Sequence, residues 1–297
     1  MASRTYRLKE REQLGEGVRR IAVGRIDHAL AALRGETDAT PAEAVHEARK
    51  DLKKLRSLLR LVRGGLGAAT FRSENDCFRQ LALELAGARD AEVMVATFDE
   101  LGLEPAVAGP LRQVLEAHRL QVAAGGTAAT QPVAERLEAA RVRALGWSLS
   151  GEGFDVVEPG LRRAYRRGRR RLRRLGAEPG VEDLHDWRKA VKDLWYHHTL
   201  LRALWPPVML AVGDEAHELS ERLGTDHDLA MLLDWARRHS HAPPELAAAV
   251  EGRRAILQAE ALALGRRLYA DKPGSFTARV EAWWEAAPSR VAPDPVV

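Results

Sequence analysis

The sequence contains very little cysteine and few aromatic residues. Cys77 is the only cysteine among 297 residues, which excludes an intrachain disulfide and a cysteine-rich zinc site and is typical of a reducing compartment. No stretch approaches the run of about 18 apolar residues that a membrane-spanning helix needs. The first residues, MASRTYRLKEREQLGEG, lack the apolar core of a signal peptide. We therefore expect a cytoplasmic protein that has no membrane partner.

Alternating strand patterns are also missing, and apolar residues recur at helical spacing almost throughout the chain. The segment Thr40-Pro41-Ala42-Glu43 has the form of a capping box with proline in the first helical position, which marks a helix start. The spacing predicts an all-α protein. Helices are expected near 14–34, 41–63, 71–100, 105–124, 132–146, 160–176, 181–204, 207–239, 244–270 and 275–286.

Two segments of the chain resemble each other. Residues 45–63 (VHEARKDLKKLRSLLRLVR) and 184–202 (LHDWRKAVKDLWYHHTLLR) share seven of 19 aligned positions, and a His, an Arg and two Lys are among the seven. Shorter matches join 18–30 to 161–173 and 81–95 to 219–233. A duplication explains these matches. We predict a first helical bundle at 1–147, a connector at 148–160, a second bundle at 161–290 and a tail at 291–297, which together form one domain.

The repeated segment is an amphipathic helix with a cationic face. At about 100° per residue, the leucines fall on one side and the basic residues on the other. The basic face comprises His46, Arg49, Lys50, Lys53 and Arg60 in the first copy and His185, Arg188, Lys189, Lys192 and Tyr196 in the second, and Arg56 is also predicted to bind the ligand. Most such faces are only solvated. Glu47 and Asp51 are expected to point away from this one, and its retention in both copies favours a role in binding.

Crowded cations need negative partners, which are either buried carboxylates of the protein or an external polyanion. Residues 161–175 show the same excess, since they hold nine arginines and no acid although the net charge of the chain is only +4. Guanidinium forks and lysine point charges suit repeated phosphate groups. The arginines expected to extend the basic surface are Arg19, Arg20, Arg25, Arg162, Arg163, Arg166, Arg169, Arg170 and Arg173.

His46 and His185 allow three interpretations: core histidines, metal ligands or hydrogen-bond donors to an anion. A metal ion is disfavoured because the neighbours are cations and no set of partner ligands is apparent. We predict no metal and favour donation to an anion, with a contribution that grows below about pH 6.5.

The paired motifs, each followed by a segment of the type LAGARDAEV or LGTDHDLAM, closely resemble the two halves of the CHAD family, whose name stands for conserved histidine α-helical domain. The resemblance implies two antiparallel four-helix bundles related by a pseudo-two-fold axis, with basic helices that line a central groove or pore. It also implies binding of inorganic polyphosphate, sometimes on polyphosphate granules, through the basic residues named above. The ExExK motif of the triphosphate-cleaving domains often fused to this family is not found in the sequence.

Our leading interpretation is therefore non-catalytic polyphosphate binding without a cofactor. Nucleic-acid binding through the arginine-rich segment is an alternative, and nucleic acid is expected to compete more weakly, because Tyr196 is the main aromatic residue on the basic faces. An enzyme acting on phosphates is a third possibility. Its best acids are Asp90 and Asp228, which recur in the two copies, although a structural role for both is favoured.

Overall fold

The described part of the chain contains twelve α-helices and a short 3-10 helix, Arg202–Leu204. The computed structural model describes residues 5–10, 12–85, 88–125, 130–176 and 178–287, without the side chains of 88–90 and 123–125. The helices are α1 (Leu14–Leu33), α2 (Pro41–Leu61), α3 (Arg63–Leu66), α4 (Ala68–Glu84), α5 (Ala88–Asp99), α6 (Pro105–Gly125), α7 (Thr130–Leu145), α8 (Phe154–Arg174), α9 (Val181–Leu200), α10 (Pro206–Arg238), α11 (Pro244–Leu268) and α12 (Pro273–Ala286). These residues include no strand, so the predicted all-α class is confirmed. None of the helices combines the length and apolar character needed to cross a membrane.

Local sequence signals define where several helices begin. The capping box at the start of α2 is confirmed: the Glu43 N–H donates to Thr40 Oγ1 at 3.4 Å, and the Thr40 N–H donates to Glu43 Oε2 at 2.8 Å. Helices α10, α11 and α12 each have a proline within their first two positions. Proline is favoured there because its fixed φ suits a helix and the missing N–H would have had no helical partner.

The largest differences from the predicted helix boundaries are at α8 and between α4 and α5. Helix α8 begins at Phe154 rather than at 160, so it includes the second part of the predicted connector and continues through Pro159. Burial of Phe154 and Val157 offsets the hydrogen bond that proline cannot donate. Gly160 also permits a close crossing, since a Cβ atom there would lie 2.0 Å from the Leu61 carbonyl oxygen. The helix predicted at 71–100 consists of α4 and α5, and residues 86 and 87 between them lie outside the described residues.

The pairing of helices repeats along the chain. Helix α2 packs between α1 and α4, and α1 also packs against α7; likewise α9 packs between α8 and α10, and α8 also packs against α12. Helices α5 and α6 form a pair, as α10 and α11 do. This recurrence matches the duplicated sequence. The two-fold axis and the central groove or pore implied by the family resemblance remain predictions.

The two halves share their cores. One large cluster of buried side chains runs from α1 and α2 into α8, α9 and α12, with Leu55, Leu58, Trp187 and Leu194 among its fully buried members. A second cluster joins α5 and α6 to the C-terminal part of α10 and the N-terminal part of α11. Contacts between α2 and α9 and between α5 and α10 therefore hold the two halves together.

Candidate anion-binding site

The two basic helices, α2 and α9, pack directly against each other. The Arg60 guanidinium binds Asp193 across the contact, and His197 Nε2 lies 3.2 Å from the Ser57 carbonyl oxygen. The earlier residue of α2, Ser57, meets the later residue of α9, His197, so the helices run in opposite directions where they meet. Their leucine sides enter the core, as predicted. The crossing brings the two copies of the motif together.

The equivalent lysines of the two copies lie close to each other. Burial, together with the charges of Arg188 and Lys53, lowers the pKa of the Lys192 ammonium from 10.5 to about 7. Lys53 itself is exposed. We call the eight motif residues of this region the central basic surface. They are His46, Arg49, Lys50, Lys53, His185, Arg188, Lys189 and Lys192.

Acidic residues reach this surface more than the sequence predicts. Lys50 pairs with Glu47 at 2.8 Å, although the helical wheel predicts that Glu47 points away, and Lys189 pairs with Asp186 at 3.0 Å. Asp228 of α10 lies close enough to Lys192 to raise its pKa. The Lys50 and Lys189 side chains are 42% and 58% exposed, so these ion pairs contribute little stability and a phosphate can replace the carboxylate. The side chain of Asp90, the counterpart of Asp228, lies outside the described residues.

Arg188 is held in place by α10. Its Nε donates to the Ser220 carbonyl oxygen at 3.3 Å, and its guanidinium occupies the space beside Gly224, where a Cβ atom would lie 2.5 Å from Nη2. A glycine in the middle of a helix lowers the stability of that helix. Gly224 therefore makes α10 less stable but leaves room for the Arg188 guanidinium. The guanidinium is thereby directed to the same region as Lys192.

His185 stacks on His227 of α10 with ring centroids 4.4 Å apart. Burial, together with the neighbouring His227, Lys189 and Arg188, lowers the pKa of His185 to about 4. The Nδ1 atoms of both rings are buried, and the described residues offer neither a hydrogen-bond partner. The free protein therefore holds His185 neutral, and the contribution predicted below about pH 6.5 is shifted to more acidic pH for this residue. His46 occupies the matching position on α2 and is half-buried.

Several residues predicted to face the ligand are instead engaged inside the protein, which corrects the prediction. Arg25 is buried and binds Asp51, which also accepts from His28. Arg60 binds the buried Asp193 with Nε and Nη2, at 3.0 and 2.6 Å. Carboxylates on the core side of the same helices thus neutralise part of the basic face, as one of the two alternatives anticipated.

The predicted arginines of α1 serve as structural anchors. Arg20 binds Glu12 and the carbonyl oxygens of Thr5 and Arg7, so it fixes the N-terminal segment. Arg19 donates to the Trp147 carbonyl oxygen at 3.0 Å. Both are half-buried, and their donors are partly occupied before any ligand arrives. The prediction that they extend the ligand surface is therefore not supported by their geometry.

Arg56 and Tyr196 also differ from the prediction. Arg56 donates to Asn75 Oδ1 at 3.2 Å, and burial lowers its pKa to about 10, so it stays charged at neutral pH. Tyr196 is only 5% exposed, with its ring stacked on Trp195 and edge-on to Tyr6. A ring in this position cannot stack on a nucleic-acid base.

The arginines of α8 point in three directions. Arg167 binds Asp193, and Arg171 binds Asp186 at 2.7 Å, so both face α9. Three predicted residues face α11 and α12 or α8 itself: Arg162, which lies 3.6 Å from Glu158, Arg169, which donates to the Tyr269 carbonyl oxygen, and Arg173. The remaining predicted residues, Arg163, Arg166 and Arg170, are exposed to solvent. Arg171 is linked to the central basic surface through Asp186, which also binds Lys189.

Comparison with known proteins assigns the architecture to a family. The model of the CHAD domain matches residues 21–237. The chain belongs to the CHAD family. The crystal structure of the CHAD domain from the plant Ricinus communis has a similar fold, with 19% identity, coverage of 95% of both chains and a TM-score of 0.66. PptA from Streptomyces chartreusis is also similar, with 14% identity, coverage of 87% of this chain and 98% of the other, and a TM-score of 0.54. No curated protein matches the sequence.

Of the CHAD motif residues, Lys192 lies close to Arg188 and Lys53, whereas the flanking arginines are dispersed. The sequence prediction missed two residues beside the motif, Arg167 and Arg171, which link α8 to the acids of α9. Their spacing of four from each other places them on one face of α8 and is visible in the sequence. Within the described residues, no group of three or more His, Cys, Asp or Glu has an arrangement that could hold a metal ion.

Proposed function

We propose that this CHAD protein binds inorganic polyphosphate at the central basic surface without cleaving it. One observation carries the proposal: the Lys192 ammonium is desolvated, and the cations of Arg188 and Lys53 lie close to it. The charged form of such an ammonium is disfavoured in the free protein, and a bound anion stabilises it. The family resemblance supports polyphosphate as that polyanion.

The arrangement suits a chain of phosphates. Lys50, Lys53 and Lys189 present mobile point charges, whereas Arg188 presents a planar fork fixed from α10. A polyanion bridging the two helices meets cations from both copies of the motif, and each contact lowers the cost of the next. Localisation on polyphosphate granules in the cytoplasm follows naturally from such binding and forms part of the proposal.

Nucleic acid is the second candidate, and the exposed Arg163, Arg166 and Arg170 of α8 favour it. Binding without sequence preference usually adds base stacking on aromatic side chains to the phosphate contacts. Tyr196 is buried, however, and Trp195 is covered by Tyr196 and His217. We therefore propose that nucleic acid binds more weakly than polyphosphate at equal phosphate concentration and equal salt.

The test is a titration of long-chain polyphosphate with the double variant Lys53→Gln, Lys192→Gln and a matched control, Lys9→Gln, Lys272→Gln. The control removes the same charge at two exposed positions elsewhere. We expect the affinity of the motif variant to be at least about tenfold lower, because each charge-assisted hydrogen bond contributes about 1.5–3 kcal/mol. The slope of log affinity against log salt should also fall by about 0.7 for each phosphate that the variant no longer neutralises.

Equally weakened binding in the motif and control variants would refute binding at the central basic surface. The same protein preparation tests the rest of the proposal. Single-stranded nucleic acid that displaces polyphosphate at equal phosphate concentration would favour the second candidate instead. Release of phosphate from polyphosphate in the presence of Mg²⁺ would contradict a non-catalytic function.

A further inference from the structure

Two arginines of α8 face away from the central basic surface. Residues two apart in a helix lie about 200° from each other. Since Arg167 and Arg171 contact acids of α9, Arg169 and Arg173 lie on the opposite side of α8. The Arg169 Nε donates to the Tyr269 carbonyl oxygen at the end of α11, at 3.1 Å, which fixes this direction.

On that side, α8 and the C-terminal end of α11 enclose a cleft of about 340 Å³. Its basic residues are Arg169 and Arg173 from α8 and Arg266 from α11, and its apolar walls are Leu172, Leu175 and Leu262. Among the described residues, none that lines the cleft is an acid. In the described part of the chain, moreover, no carboxylate lies within 4.0 Å of any of the three arginines.

Several other basic residues of the protein are neutralised by a carboxylate. Arg20, Arg25 and Arg60 each bind a carboxylate, and Lys50 and Lys189 do so at the central basic surface. Leucine walls beside unneutralised cations reduce the screening by solvent and concentrate the positive potential inside the cleft.

The cleft also has the right donors for phosphate. The hydrogen bond from Arg169 to Tyr269 uses Nε only, so the terminal amino groups of the Arg169 guanidinium keep their donors. Arg173 follows Arg169 by one helical turn, and Arg266 approaches from the other helix. Guanidinium groups converging from two helices can bind several oxygens of one phosphate group at once.

We propose that the cleft between α8 and α11 is a second phosphate-binding site, separate from the central basic surface. Its ligand is an ionised phosphate group. The group belongs either to a distant part of a polyphosphate chain, which reaches the cleft over the exposed Arg166 and Arg170, or to a separate short phosphate compound. The inference goes beyond the proposed function, because the cleft is formed whether or not the central basic surface binds polyphosphate.

The experiment compares Arg266→Glu with Arg253→Glu. Both residues are exposed arginines of α11, and their 13 positions of separation place them about 20 Å apart along the helix. Tripolyphosphate and long-chain polyphosphate are titrated at low salt, with helicity and melting temperature measured for both variants. We expect Arg266→Glu to bind at least about tenfold more weakly than Arg253→Glu, which corresponds to one missing charge-assisted hydrogen bond.

The titration in which the affinity falls shows whether the bound phosphate group belongs to a short compound or to a long chain. Weaker tripolyphosphate binding supports a separate short compound, and a decrease confined to the long chain supports a chain that reaches from the central basic surface. Identical affinities of Arg266→Glu and Arg253→Glu for both ligands would overturn the second site. The proposed function is tested independently, because it depends on Lys53→Gln, Lys192→Gln. Unchanged binding by that variant leaves the comparison at Arg266 intact.

Discussion

At the scale of single residues, Lys192 connects the chemistry of the motif with the packing of the helices. A lysine on an exposed helix face would keep its usual pKa and would contribute one mobile charge. Here burial lowers the pKa to about 7, next to Arg188 and Lys53, while Glu221 and Asp228 act in the opposite direction. The folded protein therefore stabilises the neutral amine relative to the unfolded chain, and a bound anion reverses this preference.

This residue predicts a specific pH dependence of binding. A bound phosphate raises the pKa of Lys192, so above pH 7 the complex holds more protons than the free protein. Affinity for long-chain polyphosphate should therefore fall as the pH rises from about 7 to 9. In Lys192→Met the affinity at pH 7 should be about tenfold lower and this fall should be reduced, as measured by titration at constant ionic strength.

Unfolding of the same variant provides the control. Because folding lowers the pKa of Lys192, its charge costs stability fully below about pH 7, and the cost disappears as the pH rises toward 10.5. Lys192→Met should thus be more stable at pH 6, by about 1–2 kcal/mol after allowance for partial solvation. Lower stability at pH 6 together with unchanged binding would make Lys192 a structural residue instead.

At the scale of helices, one buried carboxylate joins three of them. Asp193 of α9 binds Arg60 of α2 and Arg167 of α8. Burial alone would raise the pKa of Asp193, but the two arginines more than offset it and hold the pKa below its usual value. The contribution of this carboxylate to stability is therefore present above pH 3.8 and is lost as the pH falls through the lowered value.

Removing the charge of Asp193 should destabilise the fold. Asp193→Asn leaves two arginines without their carboxylate, and breaking a buried pair costs about 3–5 kcal/mol. Asp186→Asn is the matched control on the same helix, since Asp186 also binds an arginine and a lysine but is 34% exposed, and it should cost less than about 1 kcal/mol. Urea unfolding measures both. Equal costs would mean that Asp193 does not stabilise the junction of the three helices.

Some of this arrangement is readable from the sequence, and the reason lies in the range of each interaction. The capping box at Thr40 and the helical period depend on residues within a few positions, so the sequence predicts helix α2 and its leucine side. Whether Arg60 is free to bind a ligand depends on Asp193, which is 133 positions away in the sequence. A helical wheel assigns Arg60 to a face, but it does not show which neighbouring helix presents a carboxylate to that face. The motif residues are identifiable because they recur, whereas their partners are not.

At the scale of the whole molecule, the duplication has produced two unequal halves. The arginines of α1 bind internal partners, whereas several arginines of its counterpart α8 have no acidic partner in the described part of the chain. At the second copy of the motif, Asp193 stands where the first copy has Lys54. The second half therefore has an acid in place of this lysine, whereas α8 has more arginines than α1. A polyphosphate chain that crosses the central basic surface meets additional cations on one side only.

This asymmetry predicts a dependence on chain length. Neutralising the exposed arginines of α8 in the variant Arg163→Gln, Arg166→Gln, Arg170→Gln should weaken binding of long-chain polyphosphate by about tenfold or more, with a smaller dependence on salt. Tripolyphosphate is too short to reach from the central basic surface along α8, where 163 and 170 alone are about 10 Å apart, so its affinity there should change little. The control is Arg237→Gln, Arg238→Gln, Arg253→Gln, which removes the same charge from exposed positions of α10 and α11. If both triple variants bind the long chain equally weakly, the effect is one of total charge, and α8 does not extend the path of the polyanion.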